Sequence, residues 1–148
     1  MKTIIKIITC LVLTAPLFAL EMMMEVKLAE VCCIGCVQKL KAVKLKGVQE
    51  VHEFVKPGLT QLKLKKSARI PEVLQSIADS DYTVEESYLL LLDAKLKKNK
   101  GKTEIAMPLG NLCTVGITER DLKKDPWFKG ELFTSRDGTI CLRKVSSL

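Results

Sequence analysis

Between residues 21 and 88 the apolar positions switch repeatedly between a period of two and a period near 3.6. In "EMMMEVKLAEV", Met22, Met24, Val26 and Leu28 alternate with Met23, Glu25 and Lys27, as a strand with one buried face requires. From Cys36 onward Val37, Leu40, Ala42, Val43 and Leu45 recur at helical spacing. Lys39, Lys41, Lys44 and Lys46 fall largely on the other side, and Gly47 stands where such a helix would stop. "VQEVHEFVKPGLTQLKLKK" predicts two strands around the turn Lys56-Pro57-Gly58, with Leu62 and Leu64 alternating against Lys63 and Lys65. A second helix follows in "SARIPEVLQSIADSDY", where Pro71 suits a first turn and Ile70, Val73, Leu74 and Ile77 form the apolar stripe. "YTVEESYL" returns to strand.

Strand, helix, strand, strand, helix, strand is the split βαβ order. It predicts an α+β protein: a ferredoxin-like βαββαβ sandwich over residues 20–88, with both helices on one face of a four-stranded antiparallel sheet. A small C-terminal extension follows. In it "LLLLDAKLKKNKGK" reads equally as a helix ending near Gly101 or as a continued strand running into a basic linker, so residues 89–103 are expected to be linker or helix. Residues 104–148 form a small region with a capped helix at "TERDLKKD", where Thr118 and Asp121 have capping spacing, and a β-hairpin in "GELFTSRDGTICLRKV" that folds at Asp137-Gly138.

Residues 1–19 are expected to lie outside that fold. Lys2 and Lys6 make a short basic start, an apolar run extends from Ile7 to Phe18 with Pro16 inside it, and Ala19 offers a small residue for cleavage. The run is shorter than the roughly 20 apolar residues of a membrane span. A cleaved secretion signal is the favoured reading over a retained anchor, which places the protein in a periplasm or outside the cell, with membrane contact only before cleavage. Cys10 would leave with the signal.

Charge adds one exclusion. The net charge is +7, and removal of residues 1–19, which hold two lysines and no acid, leaves +5. Residues 20–88 carry ten basic and ten acidic residues, whereas residues 89–148 carry twelve and seven. The basic run "KLKKNKGK" at 95–102 has no aromatic interleaved for base stacking, so nucleic acid is not the expected partner and a solvated segment is. Hydrophobic content of 47% with 5% aromatics describes a globular chain with an aliphatic core.

The chemistry lies in the cysteines. Cys33 and Cys36 enclose Ile34 and Gly35 where the first strand gives way to the first helix. Residues three apart in a helical turn are about 5 to 6 Å apart, near enough for one ion to bridge both sulfurs. Exposed amides and the positive helix end favour thiolates there. A two-sulfur site suits linear Cu(I) or Hg(II), with Zn(II) as a further candidate. The same spacing also serves disulfide exchange, so a redox couple remains open beside the metal clasp.

With these surroundings the chain resembles the heavy-metal-associated (HMA) domain family, which includes copper chaperones and secreted mercury-binding proteins. The family pattern runs strand, Gly-Met-Thr-Cys-x-x-Cys, helix, Gly-Val, two strands, helix, and Gly-Tyr before the last strand. Here Cys33-Ile34-Gly35-Cys36, Gly47-Val48 and Asp81-Tyr82 stand in those places, over roughly residues 22–88. Glu30-Val31-Cys32 replaces Gly-Met-Thr, and Asp81 replaces a Gly. The resemblance implies that Cys33 and Cys36 are the metal ligands, that Tyr82 lies near the site without binding, and that the ion passes to a thiolate-bearing acceptor protein or transporter. Cys32 is a candidate third ligand, which would shift preference toward trigonal Hg(II), Cd(II) or Zn(II). Packing as a small apolar residue is the favoured role for it, because adjacent side chains on an extended segment face opposite ways.

Other residues carry less. His52, the only histidine, lies on a predicted strand remote in sequence from the thiols. Met22, Met23 and Met24 cannot all face one ion from a strand. The lysines of the first helix offer a face that an acidic partner would fit, or simply a solvated one. No serine-nucleophile motif, glycine-rich phosphate loop or supported carboxylate pair is present, so enzyme chemistry is not expected. A protein-contact module without metal is the remaining alternative. Cys113 and Cys141, outside the segment that resembles the family, are expected to pair as a disulfide in an oxidising compartment, with Cys113 in the loop-like "GNLCTVG" and Cys141 on the hairpin.

Overall fold

A computed structural model describes residues 21–31, 34–56, 58–108 and 110–145. The expected signal segment 1–19, Cys32, Cys33 and the turn residue Pro57 lie outside the described residues. In chain order the elements are β1 (Met22–Leu28), α1 (Ile34–Ala42), β2 (Val48–Lys56), β3 (Leu59–Leu64), α2 (Ile70–Asp79), β4 (Val84–Leu92), β5 (Leu96–Asn99), β6 (Lys102–Met107), β7 (Gly110–Val115), α3 (Glu119–Lys123), β8 (Trp127–Thr134) and β9 (Ile140–Lys144).

All these strands belong to a nine-stranded mixed sheet in the order β2-β3-β1-β4-β8-β9-β7-β6-β5. Neighbours pair antiparallel except β7 and β9, which run parallel.

This architecture corrects the expected fold class. A ferredoxin-like sandwich with a small appendage would leave β4 at an edge, whereas β4 is an interior strand of a large sheet, between β1 and β8. Its outer side pairs β8 from Tyr88↔Glu131 to Leu92↔Trp127. The physical reason is in "LLLL": Leu89 and Leu91 are fully buried on the face that carries the helices, and Leu90 and Leu92 give the other face apolar side chains as well. A strand apolar on both faces suits a sheet interior. Residues 22–92 do follow the predicted succession of elements, but as one part of a sheet that is much larger and has few helices.

Residues 89–103 are likewise neither helix nor linker. They hold the end of β4, all of β5 and a tight turn, in which Lys100 and Gly101 both have positive φ (50° and 77°) between the paired residues Asn99 and Lys102. That is the backbone of a two-residue hairpin. A boundary at residue 88 falls inside β4, and one continuous core runs from Met22 through Val37, Leu40, Val73 and Ile77 to Ile105 and Leu142.

Local signals act as their chemistry requires. The alternation in β1 buries Met22, Met24, Val26 and Leu28 to 3% exposure or less. Helix α1 stops at Ala42, short of Gly47. Gly47 turns the chain into β2 with φ of 76°, and a Cβ there would lie 3.1 Å from Ala68 Cβ and from Val73 Cγ2. Thr118 and Asp121 form the expected capping box on α3.

Candidate functional site

Strand β1 ends by burying Leu28, and Val31 follows it into the core at 2% exposure. In the pattern that the sequence resembles, a methionine stands at the position of Val31. The chain then enters α1, and Cys36 lies in its first turn, half-buried against the core. Cys33 and Cys32, the expected partner ligand and candidate third sulfur, lie outside the described residues. Helix α1 has no acidic residue in its first turn, so no carboxylate of the helix opposes an anionic ligand at its positive end.

The residues just before the cysteines are held by Thr83, 53 positions on from Glu30. The Ala29 amide donates to the Thr83 carbonyl at 3.0 Å, and the Thr83 amide donates to Glu30 Oε2 at 2.9 Å. The second bond holds the Glu30 carboxyl below its ordinary range. These contacts join the β1–α1 loop to the α2–β4 loop, which carries Asp81 and Tyr82. Asp81 has φ of 66°, the left-handed conformation that glycine adopts without cost, and it occupies the place where the pattern has glycine. Tyr82 is half-buried against the same core, its amide donating to Ile77 O at 3.3 Å. The geometry thus brings the cysteine loop and the tyrosine loop to one end of the sheet, on sequence positions too far apart for spacing to reveal.

The other candidates are dispersed. His52 sits on edge strand β2, paired with Gln61, its Nε2 3.9 Å from Glu50 Oε2. Met22 and Met24 are buried on the helix side and Met23 faces the other way, so they serve packing. Of the four lysines, Lys39 and Lys41 belong to α1, while Lys44 and Lys46 follow it, and Lys46 Nζ lies 3.6 Å from Glu72. Among the described residues no group of three or more His, Cys, Asp or Glu side chains is placed to hold a metal ion.

Cys113 and Cys141 do meet. Cys113 is not in a loop but on β7, directly in register with Cys141 on β9, and both are thiols. Burial, followed by a hydrogen bond that the Cys141 thiol donates to the Cys113 sulfur, pushes the Cys141 thiol up to about 11.

Comparison of the chain with protein-family models, with curated proteins and with solved structures found no match in any of the three.

Proposed function

We propose that this chain is an exported carrier of a thiophilic metal ion, Cu(I), Hg(II) or Zn(II). It takes up the ion through Cys33 and Cys36 and passes it by ligand exchange to a thiolate-bearing acceptor protein or transporter in the periplasm or outside the cell. The observation that carries the reading is the position of Cys36, half-buried in the first turn of α1, after a loop whose start is held against the Tyr82 loop by the Ala29–Thr83 and Glu30–Thr83 bonds. A loop whose start is tied down in this way lowers the entropic cost of closing a two-sulfur clasp. Thiolates at a helix start bind soft ions in preference to Mg(II) or Ca(II), and a site of low coordination lets an incoming thiolate join before an outgoing one leaves. The work is binding and transfer, with no bond in a substrate made or broken.

The test is metal binding by the reduced chain. A single Cu(I) or Hg(II) should bind tightly, and Cys33→Ser or Cys36→Ser should each abolish it, because one thiolate cannot complete the site. Cys32→Ser should weaken binding only a few-fold, and a large loss would make it a third ligand. If neither ion binds and the chain instead exchanges disulfides with a dithiol in a Cys33-dependent way, the redox reading replaces this one. Export has its own check: protein from the native host should begin near Leu20 or Glu21 by mass spectrometry, and an intact Met1 on a membrane-bound product would refute it.

A further inference from the structure

Strands β5, β6 and β7 form a meander whose strand pairing to the remainder of the sheet runs through β7 and β9, over Cys113↔Cys141, Thr114↔Leu142 and Val115↔Arg143. This is also the parallel junction of an otherwise antiparallel sheet, and parallel pairs are slightly weaker per residue. The two cysteines sit in register at that junction, so their side chains leave the same face of the sheet from adjacent strands. The Cys141 thiol donates a hydrogen bond to the Cys113 sulfur.

We propose that Cys113 and Cys141 form a reversible cross-strand disulfide that locks the β5–β7 meander to the sheet, made by exchange with a small-molecule or protein disulfide. It is independent of the metal reading and involves none of its cysteines. Register neighbours on adjacent strands fall within the Cα separation that a disulfide spans, about 4.4 to 6.8 Å. The chain between the two cysteines carries α3 and β8, so the bond would close a long loop across the parallel seam of the sheet.

The two thiols differ in access, which sets the order of events. Cys113 is half-buried, whereas Cys141 is 2% exposed. Cys141 neighbours Phe133, its register partner on β8, as well as Ser135 and Asp137, and its raised pKa leaves little thiolate at neutral pH. Cys113 therefore attacks first. Its sulfur bonds to one sulfur of the donor disulfide, the donor S–S bond breaks, and one donor thiol leaves with the proton that Cys113 gave up. Cys141 then attacks the Cys113 sulfur, the mixed disulfide breaks, and the second donor thiol leaves with the proton from Cys141. Two cysteine thiols are oxidised by two electrons, and the donor disulfide is reduced to two thiols.

The experiment uses the full chain with Cys10, Cys32, Cys33 and Cys36 replaced by Ser, incubated with oxidised glutathione, alkylated without reduction and mapped by mass spectrometry. Wild-type chain treated in parallel guards against a folding defect in the substituted one. The expected result is one peptide pair joined through Cys113 and Cys141. Adding Cys141→Ser should trap glutathione on Cys113, and adding Cys113→Ser instead should slow glutathione addition at Cys141 by roughly tenfold or more, as access controls exchange. Trypsin cleavage at Lys97 to Lys102 should be roughly tenfold slower in the oxidised chain, since the meander can no longer separate locally from β9. Alkylation of both cysteines in the wild-type and substituted chains, or a Cys113 mixed disulfide that never resolves, overturns the proposal.

Discussion

Lys129 Nζ on β8 donates a hydrogen bond to Glu25 Oε2 on β1 at 2.8 Å, although strand β4 lies between them. The lysine crosses β4 above the Tyr88 ring, with its Nζ 4.6 Å from the ring centroid. Tyr88 is the register partner of both Glu25 and Glu131, and Glu131 in turn pairs with Arg143 on β9. A polar row thus crosses four strands on the face opposite the helices. It ties the part of the sheet built from residues 22–92 to the part built from residues 127–144.

The Glu25 side chain is only 8% exposed against 41% for Lys129, so loss of the lysine strands a buried carboxylate. Lys129→Met should therefore cost about 1 to 2 kcal/mol, less than a fully buried pair because the lysine is partly solvated. Glu25→Gln combined with Lys129→Met should cost less than the two single changes added together, with a coupling of about 1 kcal/mol. Urea denaturation of the four proteins measures this. Strict additivity would show that the contact contributes nothing.

Gly130 faces the core beside Leu142. A Cβ built on Gly130 would lie 2.6 Å from Leu142 Cγ and 2.7 Å from its Cδ1, and Leu142 is fully buried. The obstruction is near the root of the leucine side chain, where rotation gives little relief. Gly130→Ala should destabilise the protein by about 1 to 3 kcal/mol through overpacking. Joining it to Leu142→Val should recover part of that loss, and a neutral Gly130→Ala in denaturant titration would show that β8 and β9 are less closely packed than the structure has them.

What could be read from the sequence was local. The period of two in Met22, Met24, Val26 and Leu28, the capping pair Thr118 and Asp121, and the turn at Asp137-Gly138 each depend on residues a few positions apart, and each is found in the structure. The pairing of β4 with β8 joins residues some forty positions apart and leaves no local trace. Leu89 to Leu92 looks the same as helix or strand without that partner. The turn at Lys100-Gly101 was hidden in a lysine run, and the glycines of "GNLCTVG" masked strand β7. For the site, the start of α1 was legible from the spacing that includes Cys36. The Glu30–Thr83 tie was not, because nothing in either segment names the other.

Acid should act through Asp121. A hydrogen bond from Lys144 Nζ at 2.7 Å, and then bonds from the Thr118 amide and hydroxyl, hold its carboxyl down to about 2, below its ordinary value near 4. A depressed carboxylate contributes stability above its unfolded-state pKa and loses it as pH falls through the folded value. The contribution should thus be complete at pH 6 and fade between about pH 4 and pH 2. Asp137 is held down to about 2 by Ser135 and Thr139 and fades over the same range, so the informative quantity is the difference between wild type and Asp121→Asn. Denaturation midpoints should differ at pH 6 and converge near pH 2. A gap that stays constant would show that the lost stability does not come from the ionised carboxylate.

Asp81 offers a test of the loop beside the cysteines. Its φ of 66° costs an ordinary L-residue roughly 1 to 2 kcal/mol, less for Asp and nothing for Gly. Asp81→Gly relieves that strain but adds freedom to the unfolded chain worth about 0.4 to 1 kcal/mol, so the two effects should leave stability within about 0.5 kcal/mol of wild type. Asp81→Val has no such escape, because a β-branched side chain resists positive φ, and it should cost about 2 kcal/mol. Thermal or urea unfolding of both variants compares them directly. Because Asp81 adjoins Tyr82 and the Thr83 amide that holds Glu30, a strained residue here should also disturb the approach to Cys36. Metal affinity should fall in Asp81→Val and stay near wild type in Asp81→Gly. Equal affinity in the two variants, with the stability difference present, would show that the Tyr82 loop does not shape the metal clasp.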